Sequence, residues 1–140
     1  MPFTHITLKA KKPSHLVYPK TLKTLGDHIR KRRLDLGLFQ EQIARRIGVD
    51  AVTVYNWERN RNSPHLRVIP KIIAFLGYAP CQPAKSLPEK LLSCRRLLGL
   101  SQKQMAKMIG IDPYTLGKFE RGKGQAMERT LERIEGFIFG

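Results

Sequence analysis

Among the side chains of this chain that could do chemistry, the nucleophiles and metal ligands are the least well arranged. Cys81 and Cys94 are the only cysteines, and His5, His15, His28 and His65 are scattered, so no zinc-type spacing forms. Acids and histidines are spread along the sequence with no nucleophile–base pairing, and neither catalysis nor a cofactor is expected. What the sequence does offer is cationic hydrogen-bonding chemistry. It has 26 Lys and Arg against 11 Asp and Glu, a formal charge of +15 in 140 residues. Solubility alone needs a net charge of only about 2–8 in a small domain. A cation of this size favours polyanions, with nucleic acid ahead of an anionic membrane surface.

The charge is not confined to a detachable tail. Residues 1–24 contribute five Lys and no acid, residues 25–76 ten basic and five acidic side chains, and residues 87–140 ten basic and six acidic ones. Two thiols without a disulfide framework suit a reducing compartment. The N-terminal "MPFTHITLKAKKP" lacks the apolar core of a secretory signal, and no apolar run approaches the ~18 residues of a membrane span. The expected setting is cytoplasmic and nucleoid-associated, with no membrane partner and no evident small-molecule ligand.

The elements that must position these cations are announced by a repeat. "LGLFQEQIARRIGVD" at 36–50 returns as "LGLSQKQMAKMIGID" at 98–112. A shift of 62 residues aligns 25–61 with 87–123, with identities that include Arg33/Arg95, Gly37/Gly99, Gln40/Gln102, Ala44/Ala106, Gly48/Gly110, Asp50/Asp112, Glu58/Glu120 and Arg59/Arg121. Trp57/Phe119 and Val54/Leu116 keep their character. Two copies at so long a period make a pair of compact units and not a solenoid.

Apolar spacing within each copy is helical. Leu25, Ile29 and Leu36 mark a first helix, stopped at Gly37. Gln40 to Ile47 makes a short second helix, and Asp50 caps a third in which Val54 and Trp57 face inward. "NSP" at 62–64 is expected to start a fourth, running through Val68, Ile72 and Phe75 to Gly77. In the second copy, Asp112-Pro113 gives an N-cap followed by proline. The fold class is all-α. The expected boundaries are a basic N-terminal arm at 1–20, a first unit at 21–77, a Pro-containing linker at 78–86 that could span roughly 30 Å extended, and a second unit at 87–140.

A short helix, a glycine turn and a helix opening on a polar cap form a helix-turn-helix. "LGLFQEQIARRIGVDAVTVYNWERN" and "LGLSQKQMAKMIGIDPYTLGKFERG" both resemble the phage-repressor-like (XRE, Cro/C1-type) DNA-binding domain. The resemblance covers about 110 of the 140 residues. It implies two tandem lambda-repressor-like domains of four to five short helices each, with double-stranded DNA as partner. It also implies reading helices at Asp50–Arg59 and Asp112–Arg121. Side chains there that face away from the core are Ala51, Val52, Tyr55 and Asn56, against Pro113, Tyr114, Gly117 and Lys118. Asn56 could bind adenine bidentately, Val52 could meet a thymine methyl, and Lys118 could reach guanine or a phosphate. Tyr55 and Tyr114 have a plainer alternative, covering the helix surface.

By the same resemblance Gln40 and Gln102 touch phosphate and brace the reading helix, and Arg33 and Arg95 pair structurally with Glu58 and Glu120. Arg59, Arg61, Arg121 and Lys123 suit phosphates, as do Lys9, Lys11 and Lys12 of the arm. The first three residues of "RKRR" at 30–33 read as a solvated helix face. Trp57 and Phe119 read as core anchors.

One chain with two unlike reading faces should prefer an asymmetric site. Against this, the second copy replaces Arg30 by Leu92, Asp35 by Leu97 and Arg46 by Met108, so a dimer built on that copy stays open. The leading function is a sequence-specific transcriptional regulator. The alternatives are an architectural or excision-type factor of a mobile element and an antitoxin-like interaction module.

Overall fold

The computed structural model describes residues 18–123 and 125–140. Its described residues are all-α, with eight α-helices in two tandem helix-turn-helix units. The first unit holds α1 (Leu25–Asp35), α2 (Gln40–Ile47), α3 (Ala51–Glu58), a 3-10 turn (Leu66–Val68) and α4 (Ile69–Leu76). The second holds α5 (Leu87–Leu98), α6 (Gln102–Ile109), α7 (Pro113–Glu120) and α8 (Glu128–Phe139).

Capping explains many of the boundaries. Thr24 opens α1 by accepting from Asp27 N while the Asp27 carboxylate accepts from Thr24 N, a reciprocal capping box. Ser101 and Gln104 make the same box at α6. At α2 the cap position is Phe39, which keeps only half of the box: its N–H donates to Gln42 Oε1, but its side chain has no acceptor, and the Gln42 N–H goes to the Phe39 carbonyl at 3.0 Å. Both second helices end at a glycine in the left-handed region, Gly48 at φ 88° and Gly110 at φ 89°, which a side chain would strain.

The fourth helix begins later than the sequence suggests. Asn62–Pro64 is non-helical, His65 caps a single 3-10 turn, and α-helix starts only at Ile69. Pro70 has no N–H to give the carbonyl of Leu66, so a continuous α-helix cannot run through it. In the second unit Glu132 occupies that register position, and α8 runs unbroken for 12 residues.

Packing repeats as well. In each unit the second and third helices pack together, and the first helix lies against the third. Ile29, Ile43, Ile47, Val54 and Trp57 fill the first interior; Leu91, Met105, Leu116 and Ile134 fill the second. Leu36, expected inside, is 44% exposed where α1 ends. Ala44 and Ala106 are buried where the helices approach, and Gly26 lies so near α3 that a Cβ there would strike the Trp57 carbonyl oxygen.

The two interiors are not separate. Their buried apolar side chains join into one cluster, and the connecting segment is packed into it. Ala79 and Pro80 are buried, Gln82 N donates to Ser93 Oγ at 3.1 Å, and Gln82 Nε2 donates to the Leu22 carbonyl at 3.1 Å. Residues 78–86 therefore lie folded between the units and do not take up the extended reach open to their length.

Candidate nucleic-acid interface

Each third helix is held at its C-terminal end by the same three-residue brace. Arg33 sends two parallel N–H bonds to the Glu58 carboxylate, at 2.7 and 2.8 Å, and a third to the Leu38 carbonyl at 3.0 Å. Gln40 Nε2 adds a bond to Glu58 Oε1 at 3.0 Å. The second unit repeats it: Arg95 to Glu120 at 2.6 and 3.1 Å, Arg95 to the Leu100 carbonyl at 3.0 Å, and Gln102 to Glu120 at 2.9 Å.

The glutamate side chains are only 3% and 4% exposed, so each carboxylate has exchanged water for a bidentate guanidinium and an amide. The brace links the first helix, the start of the second and the end of the third. It fixes the angle at which the third helix stands out. One amide N–H of each glutamine is committed to the brace, which leaves the other and the backbone N–H at the helix N-terminus.

The outward faces differ. On α3, Val52 is 67% exposed, and Ala51, Tyr55 and Asn56 are half-buried. On α7, Tyr114 is 70% exposed and Pro113 and Lys118 are open to solvent. Gly117, expected to face outward, is buried: the Gln102 amide and the Arg121 guanidinium lie over it, filling the space a side chain would take. Trp57 is buried as an anchor, and Phe119 is partly buried against the core.

The cations reach solvent around these faces. Arg59, Arg61, Arg121 and Lys123 are exposed at the ends of the third helices. Arg59 and Arg61 both stack on the Tyr55 ring, at 5.0 and 5.7 Å from its centroid, while Lys118 lies 5.5 Å from that of Tyr114. Of "RKRR", Lys31 pairs with Asp35 at 2.7 Å, as a solvated face would. Arg32 instead donates Nε to the Phe75 carbonyl at 3.3 Å, tying α1 to α4. Lys9, Lys11 and Lys12 lie outside the described residues.

Two features escaped the sequence reading. Asn60, at φ 57°, accepts from Thr24 Oγ1 at 2.7 Å and donates to Asp27 at 3.2 Å, so the end of the third helix is stitched to the start of the first. Gly122 at φ 68° takes the equivalent turn in the second unit, and the Asn/Gly exchange at a 62-residue shift was the available signal. The other is a cleft between the units, where Lys23, Asn60, Arg61 and Asn62 face Arg96, Leu98 and Gly99.

Among the described residues no group of His, Cys, Asp or Glu could hold a metal ion, and no helix is long and apolar enough to cross a membrane.

Comparison with known proteins gives the same picture twice over. A family model described as helix-turn-helix matches residues 29–82 and again residues 91–138. An uncharacterized HTH-type transcriptional regulator of Methanothermobacter thermautotrophicus is 43% identical over 49 residues, which cover 35% of this chain and 71% of that protein. No solved structure matches the chain.

Proposed function

We propose, from the premise that this chain belongs to the XRE-type helix-turn-helix family through both of its halves, that it is a sequence-specific, double-stranded DNA-binding transcriptional regulator reading an asymmetric site. The observation that carries this reading is the contrast between brace and face. The Arg–Glu–Gln brace is the same in both units, so both third helices are presented alike. Their outward residues differ at nearly every position. Equal presentation with unequal lettering suits one duplex holding two unlike half-sites.

The third helix enters the major groove, and its first turns meet base edges. Val52 and Asn56 are the readers on α3, contacting a thymine methyl and an adenine. Ala51 sits at the start of α3 and packs along the groove. On α7 Lys118 is the polar reader, with Pro113 and Tyr114 against the groove wall. Gln40, Gln102, Arg59, Arg61, Arg121 and Lys123 hold phosphates on either side. Lys9, Lys11 and Lys12 of the arm add backbone contacts. The similarity to an HTH-type transcriptional regulator supports regulation as the role.

Competition binding against random duplexes across a salt series tests the reading. Asn56→Ala is expected to weaken the preferred duplex by ~1–3 kcal/mol and relax preference at one base position. Unchanged preference in that variant would remove α3 as a reader.

A further inference from the structure

The geometry points to a pre-assembled phosphodiester seat at the end of α3, in which Tyr55 is a positioning residue that holds Arg59 and Arg61 and does not itself read a base. This rests on the DNA-binding reading above and assigns the division of labour within it. Tyr55 and Arg59 are four residues apart and so share one face of the helix. Arg61 lies beyond the helix end and comes back to the same ring. Both guanidiniums therefore rest against the same ring.

Both are cations, and no carboxylate among the described residues pairs with either of them. The missing counter-charge is an anion that guanidiniums held at this ring can reach. On a duplex that anion is a backbone phosphate. The cleft that Arg61 borders continues the same character: Lys23 and Arg96 line it too, and no Asp or Glu does.

The second unit lacks the device. Tyr55 corresponds to Gly117, so Arg121 lies over bare backbone and Lys123 rests on no ring among the described residues. Lys118 has its own ring, Tyr114, but as a single cation. The seat thus belongs to the first unit, where the flexible arginine stems are ordered before the duplex arrives and less freedom is lost on binding.

The test is the salt dependence of duplex binding for the full chain and its variants, read by fluorescence anisotropy on a selected site and on a scrambled duplex. Tyr55→Ala and Tyr55→Leu are expected to lower affinity for both duplexes alike, about tenfold at low salt. They should also make the log–log salt slope shallower by roughly one. Tyr55→Phe keeps the ring and is expected to bind as the parent does. In a chain already carrying Arg59→Ala and Arg61→Ala, removing the ring should cost nothing further.

The proposal is overturned if Tyr55→Phe fails as Tyr55→Ala does, or if the loss falls on the selected duplex alone. A full loss that persists without the two arginines overturns it as well. A parent protein indifferent to base order, yet showing this slope change, would sink the sequence-reading function and leave the seat standing.

Discussion

At the scale of single residues, the buried ion pair and the buried imidazole make the firmest claims. Arg33 and Glu58 satisfy each other almost completely, and either one alone would be a charge stranded in the protein. Arg33→Ala is therefore expected to lower unfolding free energy by about 3–5 kcal/mol in urea titrations, far more than the exposed Lys31→Ala. His28 is buried on α1, with Nδ1 2.8 Å from the Tyr78 hydroxyl and Nε2 without a partner among the described residues. Burial lowers its pKa from 6.5; Asp27 opposes this and Lys31 adds to it. The folded state thus holds His28 neutral, while the unfolded chain takes up a proton near the ordinary value. The contribution is complete above about pH 6.5, shrinks as pH falls below it, and levels off under the lowered folded-state pKa. Urea midpoints measured from pH 7.5 downward should decline accordingly, and His28→Phe should flatten that decline. Arg33 and Glu58 could be assigned from the recurrence of both partners 62 residues on, together with the family resemblance. His28 could not, because burial of one histidine among four leaves no mark in spacing.

At the scale of elements, the two copies serve as controls for each other. The Ser101 hydroxyl accepts from Gln104 N at 3.1 Å, whereas the Phe39 side chain in the equivalent position has no acceptor and leaves its ring 75% exposed. Phe39→Ser is expected to stabilise the first unit by about 1 kcal/mol, and Ser101→Ala to destabilise the second by a similar amount, in thermal or urea unfolding. If Phe39→Ser is neutral or destabilising, the exposed ring has a packing role that its exposure does not suggest. Helix identity, helix order and the turns at Gly48 and Gly110 were legible because apolar spacing, caps and glycines all pointed one way. The start of the fourth helix differs from what the sequence suggests: Asn62–Pro64 resembles a helix opening, and Pro70 decides the matter by withholding one N–H. Gly117 was misplaced for a related reason. Helical phase puts it outward, but with no side chain of its own it is covered by Gln102 and Arg121.

At the scale of the molecule, the connecting segment changes what two copies mean. A loose tether of its length would raise the local concentration of the second reader to the order of mM while leaving half-site spacing free. Here Ala79 and Pro80 are buried, Gln82 is bonded to both units, and the apolar interiors are continuous. Prolines at 80, 83 and 88 point to a linker because they break helices, and they carry no information on whether the broken segment packs. A packed junction sets the two third helices at one spacing, so the preferred DNA site should be rigid in length. Selection of bound fragments from a random duplex library, read for motif symmetry and spacing, tests this most directly. The account predicts two unlike half-sites at a single separation, one weakened by Asn56→Ala and the other by Lys118→Ala. A palindromic motif, a variable gap, or no motif would contradict it.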